Sequence, residues 1–144
     1  VTTAAFHFNV DNRLHYTCRL VRKAVAAGNR LAVTGSDDML EQLDRDLWMF
    51  SATEFLPHCR KDDAASLVQR SAVLLCDSLA DVTDRDVLLN LADSVPIGFE
   101  SFERVLEVVS VDPLERAQAR LRWKHYTQAG LTLVQHDLGQ RSAS

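Results

Sequence analysis

Apolar and polar positions along the chain change period several times, and each change marks an element. Residues 4–10 (AAFHFNV) gather aromatic and β-branched side chains before a polar Asp11-Asn12 pair, which predicts a first strand and a turn. Leu14, Cys18, Val21 and Val25 then recur at three- and four-residue spacings, and Gly28 stands where a helix stops. This spacing predicts a first helix over residues 14–27. Residues 30–34 (RLAVT) read as a second strand. After Gly35, Ser36, Asp37 and Asp38, the positions Met39, Leu40, Leu43 and Leu47 return to helical spacing, with Asp38 and Glu41 at capping-box distance. Strand, helix, strand, helix is the order of an α/β fold with a parallel pair at its centre.

The middle is less regular. Phe55, Leu56, Pro57 and His58 follow the second helix, and residues 60–65 have the polar composition of an exposed loop. Residues 71–76 (SAVLLC) and 87–91 (VLLNL) are nearly continuous apolar runs, as strands covered on both faces should be. Residues 102–111 (FERVLEVVSV) set Val105, Glu107 and Val109 against Leu106 and Val108, a period of two that predicts a strand, with a helix as the competing reading. Asp112-Pro113 opens a helix that runs to about Ala129, before Gly130. Residues 131–138 supply a candidate edge strand. The expected architecture is a single-domain (1–144), three-layer α/β sandwich around a mixed, mostly parallel sheet.

Composition narrows what such a domain does. With 144 residues, 47% hydrophobic and 25% charged, the chain is long enough to bury a core and falls outside the disordered class. A net charge of -4 argues against a surface built mainly to wrap nucleic acid. Cys18, Cys59 and Cys76 are odd in number and lack a CxxC, so reduced thiols in a cytosol are expected rather than a disulfide framework or zinc site. Residues 1–6 lack the pattern of a secretory leader and no apolar run reaches membrane-spanning length, so a cytoplasmic protein is expected; Val1 suggests a trimmed or renumbered chain.

Candidate chemistry is sparse. Gly35, Ser36, Asp37 and Asp38 occupy a strand-to-helix junction where α/β folds place phosphate loops, but there is no GxGxxG or GxxxxGK[ST], and adjacent carboxylates repel phosphate. An ordinary helix cap is favoured, with a nucleotide-binding protein or enzyme as the alternative. His7, His15, His58, His125 and His136 show no metal-ligand spacing, and no GxSxG frames a serine. Cys59 beside His58 is the best thiol candidate and more often a buried bystander. Trp48 and Phe55 flank a helix-to-loop transition, where large rings serve either as core or as partner anchors.

The last helix carries the most specific pattern. At about 100° per residue, Leu114, Ala117 and Leu121 cluster on one side, Arg116, Arg120 and Lys124 form an adjoining stripe, and Trp123 borders it. Three cations and a ring beside Val108 and Val109 suit a groove for an acidic peptide with an apolar tip, weakened slightly by Glu115; the bland alternative is a solvated helix face. Direct binding of single-stranded DNA by the stripe is a further alternative.

Taken in order, LDRDLW, FLPH, VLLNL, FERVLEVV and RLRWKHYTQAG resemble the chi subunit family of bacterial DNA polymerase III holoenzyme over nearly the whole chain. That resemblance implies a non-catalytic, clamp-loader accessory protein on a nucleotide-binding-like (Rossmann-like) fold, with no cofactor and no metal. It implies three partners: the psi subunit, the acidic C-terminal tail of single-stranded DNA-binding protein, and in some members a DinG-like helicase sharing the psi surface. DNA is reached only indirectly. By position, Trp48 and Phe55 fall on the psi surface, and Val109, Arg116, Arg120, Trp123 and Lys124 on the tail-binding side. Arg120 is the expected clamp for the terminal carboxylate.

Overall fold

The computed structural model describes residues 2–50, 58–60, 63, 64, 68, 71–80 and 82–141. Three runs of the sequence are apolar at nearly every position, and they become the strands that water never reaches. These are β2 (Leu31–Thr34), β4 (Val73–Cys76) and β5 (Val87–Asn90), each buried throughout. Strands of that kind need cover on both faces, which parallel sheets with crossover helices provide.

The other strands are β1 (Thr3–Val10), β3 (His58–Arg60), β6 (Arg104–Ser110) and β7 (Thr132–Asp137). The sheet order is β3-β4-β2-β5-β6-β1-β7. Every pairing among the described strands is parallel, where a mixed, mostly parallel sheet was expected. β1 and β2 do not form a central pair, because β5 and β6 lie between them. Within residues 102–111, Arg104–Ser110 form a strand rather than a helix, and β7 is an edge strand as expected. The short edge strand β3 falls where the sequence reads as irregular: two of its residues, His58 and Cys59, are buried beside β4, but three residues are too few to show a period. Of residues 60–65, Arg60 ends β3 and its N–H donates to Asp63 Oδ2 at 2.8 Å; 61, 62 and 65 lie outside the described residues, as does Phe55.

Helix α1 (Arg13–Ala26) starts at Asn12, whose side chain accepts the His15 N–H at 3.0 Å, and ends before Gly28 at φ +89°. Helix α2 (Asp37–Phe50) is capped by Ser36, whose Oγ accepts the Met39 N–H at 3.3 Å. The cap is therefore Ser36 rather than Asp38 with Glu41. Helix α3 (Pro113–Gln128) begins at Asp112, which accepts the Glu115 N–H at 3.0 Å, and stops before Gly130 at φ +88°. A short α4 (Leu138–Arg141) follows β7.

Period-two alternation divides the core into two layers. Val21, Leu40, Leu43 and Leu47 from α1 and α2 pack against Leu31, Val33, Leu75 and Leu89 on one face. On the other face Ala119 and Tyr126 of α3 meet Ala4, Phe6, Phe102, Val105 and Val109. Each large apolar side chain so enclosed contributes about 1.5–3 kcal/mol. Because α3 joins β6 to β7 and those strands flank β1, the helix must cross above β1. That crossing creates the groove described next.

A cationic groove beneath the third helix

Alternation in β6 sends Val105, Glu107 and Val109 toward α3, and Leu106 and Val108 toward α1 and α2. Val108 therefore belongs to the opposite face, and only Val109 of the pair can serve a site on α3. Val109 forms part of the floor of a cavity of about 310 Å³. Phe6 and Phe8 of β1 complete the floor, Arg116, Ala119, Arg120 and Trp123 of α3 make one wall, and Gln135 of β7 stands at the far rim. The Trp123 ring meets Phe6 edge-on, with centroids 5.1 Å apart and planes at 66°. At the small end of the range for ligand pockets, about 300–1,000 Å³, the space suits one ring and its neighbours.

Four of the five residues expected to bind an acidic tail, Val109, Arg116, Arg120 and Trp123, thus line one cavity. Lys124 is exposed and stands outside it. Arg116 and Arg120 are exposed cations, and among the described residues neither they nor Lys124 forms an ion pair. Glu115, expected to weaken the stripe, is turned away: its Oε1 accepts the Ser110 N–H at 3.4 Å and lies 3.6 Å from Arg13 Nε.

The orientation of α3 is set from inside. Glu107 is fully buried and its carboxylate accepts three donors: Arg122 Nε at 3.0 Å, Tyr126 O–H at 2.7 Å and Asn90 Nδ2 at 2.9 Å. Arg122 also donates from an Nη to the Asp93 carbonyl at 2.9 Å. Burial pushes the Glu107 carboxyl upward, while Arg122, Asn90 and Tyr126 pull it back. Burial, and then the Glu107 charge, push the Tyr126 phenol upward, so it stays a donor. With Ala119, Arg122 and Tyr126 turned inward, the helix presents Arg116, Arg120 and Trp123 to the groove and sends Leu114, Ala117 and Leu121 to solvent. The apolar cluster that these three form on one side of the helix is exposed. A helical wheel ranks them as the buried face because it cannot see Glu107 claiming Arg122 and Tyr126.

Sequence reasoning missed Phe6, Phe8 and Gln135, which the β1–β7 register brings to the groove by pairing Phe6 with Gln135. The alternation in AAFHF was the available signal for the two rings. On α2, Trp48 is 55% exposed, and its ring lies 4.8 Å from that of His58, whose Nε2 is 2.8 Å from Asp44 Oδ1. Met49 beside it is 78% exposed, which the sequence pattern gave no reason to expect.

At Gly35 an added Cβ would meet Leu91 at 3.4 Å and Met39 at 3.6 Å, so its side is packed against apolar groups rather than open to a phosphate. Asp37 lies 3.5 Å from Arg60. Burial pushes the Cys59 thiol upward, away from the thiolate a nucleophile needs. Cys18, Cys59 and Cys76 are buried, and among the described residues none is joined in a disulfide. Among the described residues no three His, Cys, Asp or Glu side chains converge as metal ligands, and no helix is long and apolar enough to cross a membrane.

Sheet, helices and groove together define a Rossmann-like α/β sandwich with a cationic, ring-lined groove on its α3 face. The chain belongs to the DNA polymerase III chi subunit family: the family model described as DNA polymerase III chi subunit, HolC, matches residues 1–134. It is 32% identical over 127 residues to a protein of Pseudomonas aeruginosa named DNA polymerase III subunit chi, covering 88% of this chain and 87% of that one. It is 24% identical over 142 residues to a Haemophilus influenzae protein of the same name, covering 95% and 98%.

Proposed function

We propose that this protein is a non-catalytic accessory subunit of bacterial DNA polymerase III, working in the cytoplasm as an adaptor. Its α3 groove takes the acidic C-terminal tail of single-stranded DNA-binding protein, and its α2 surface takes the psi subunit, which ties it to the clamp loader. The observation that carries the tail reading is the meeting of Val109, Arg116, Arg120 and Trp123 in one cavity, with cations at its mouth that form no ion pair among the described residues. The family resemblance supplies the partner's name.

In this reading the guanidinium of Arg120 pairs with the terminal carboxylate, for which a planar fork of donors suits better than an ammonium. Trp123, Phe6 and Val109 surround the terminal ring, while Arg116 and Lys124 attract the preceding aspartates and act mainly on encounter rate. Trp48, with Phe55, anchors psi; a DinG-like helicase would compete for the same surface.

Titrating a synthetic acidic tail peptide with a free terminal carboxylate tests the groove, with the amidated peptide and single-stranded DNA as comparisons. Tail capture predicts a need for the free carboxylate. Direct DNA binding predicts indifference to amidation and a steep salt dependence with DNA alone.

A further inference from the structure

Helix α3 is inverted relative to an ordinary surface helix. It buries Arg122 and Tyr126, 5% and 0% exposed, and turns Leu114 and Leu121 outward at 67% and 70%. Single exposed leucines are common, but these two are a pair. Seven residues apart, they stand about 10 Å from each other on one row, with exposed Ala117 between them. Beside Ala119, the face that packs on the protein carries Arg122 and Tyr126, whose polar groups meet Glu107, while apolar side chains crown the face that does not pack. The cation row of Arg116, Arg120 and Lys124 borders that apolar crest, its two arginines also lining the groove, and none of the three is neutralised by an acid among the described residues.

We propose that the crest formed by Leu114, Ala117 and Leu121 is a second docking site for the acidic peptide that enters the groove. The proposal rests on the tail reading above and extends it. Continuity with the groove and the charge of the intervening row select this occupant: an acidic run crossing Arg120 and Lys124 is delivered directly onto the crest. With side chains, a helix is about 10–12 Å across, so a third of its circumference is about 12 Å. Three or four extended residues span that distance. The partner is therefore a peptide with a terminal ring, an acidic run, and one apolar side chain about four residues before the ring.

The test uses the full chain and two peptides with the same acidic run and free terminal Phe, one bearing Leu and the other Ser about four residues upstream. The wild-type protein should bind the Leu peptide about fivefold to tenfold more tightly, a fraction of what full burial of a leucine would provide. In the Leu114→Gln, Leu121→Gln double variant the preference should vanish while Ser-peptide affinity is unchanged; Gln matches Leu closely in helix propensity, so the fold is kept. Equal affinities in the wild type, or a preference surviving in the double variant, overturn the crest proposal and leave the groove standing. If neither peptide binds, the groove reading fails and the crest falls with it. Self-association abolished by the double substitution, with no peptide preference, would assign the crest to a second copy instead.

Discussion

Arg122 Nε donates to Glu107 Oε1 across 3.0 Å in the interior, where the two side chains are 5% and 0% exposed, and this pair fixes which face α3 shows to the groove. Arg120 and Arg122 are thus near neighbours in sequence with opposite duties, one in contact with solvent and one with the core. Glu107→Leu leaves a buried guanidinium without its counter-charge, and Arg122→Leu leaves the carboxylate without its own, each costing about 3–5 kcal/mol. Joint replacement of Glu107 and Arg122 by leucine should cost much less than the two single changes added together, a non-additivity that urea denaturation of the four proteins measures directly.

His7 should make stability depend on mildly acidic pH. Burial first, then His136 and Lys23, push its imidazole from 6.5 down to about 4. Its ring stacks on His136 at 4.5 Å, and its Nδ1 lies 2.6 Å from the Tyr16 hydroxyl. The unfolded chain therefore takes up a proton near pH 6.5 that the folded chain refuses until about pH 4. Stability is full above pH 6.5 and declines as pH falls toward 4. Because the ring is partly exposed, solvent screening reduces the loss to about 1–2 kcal/mol. Urea midpoints at pH 7 and pH 4.5 should differ less for His7→Gln than for the wild type.

Trp48→Ala should separate binding from folding. The ring is 55% exposed and packs on His58, so the thermal midpoint should move little, while loss of a central aromatic anchor costs about 2 kcal/mol or more at an interface. Co-purification with psi should fail in this variant. Affinity for the acidic peptide should not change, because α2 and α3 lie on opposite faces of the sheet.

Charge at the groove should divide by position. Lys124 stands outside the cavity, so Lys124→Ala should cost about 1 kcal/mol or less and mainly reduce the association rate. Stopped-flow mixing with a labelled peptide at two salt concentrations measures this, and the difference from wild type should shrink at high salt.

Most elements were legible because their physics is local. The apolar runs around Val73 and Val87, the Pro113 start and the Gly130 stop each report on their own neighbourhood. The face of α3 was not legible in the same way. Leu114, Ala117 and Leu121 form the better apolar row in the sequence, yet Ala119, Arg122 and Tyr126 are buried, since the Glu107 carboxylate on β6, which takes one donor from Asn90 on β5, takes two more from Arg122 and Tyr126. Only tertiary register reveals that requirement. The groove was legible in its α3 wall and in Val109. Phe6, Phe8 and Gln135 depended on strand order, which places the first strand between the last two.

The central claim is that the α3 groove captures a free acidic C-terminus through Arg120. Calorimetric titration of the tail peptide into wild type and Arg120→Ala tests it most directly. Loss of one partner of a desolvated charge pair costs about 2–5 kcal/mol, so binding should weaken at least about thirtyfold in the variant, with its thermal midpoint and psi co-purification retained. Unchanged affinity in a folded Arg120→Ala protein would contradict the account.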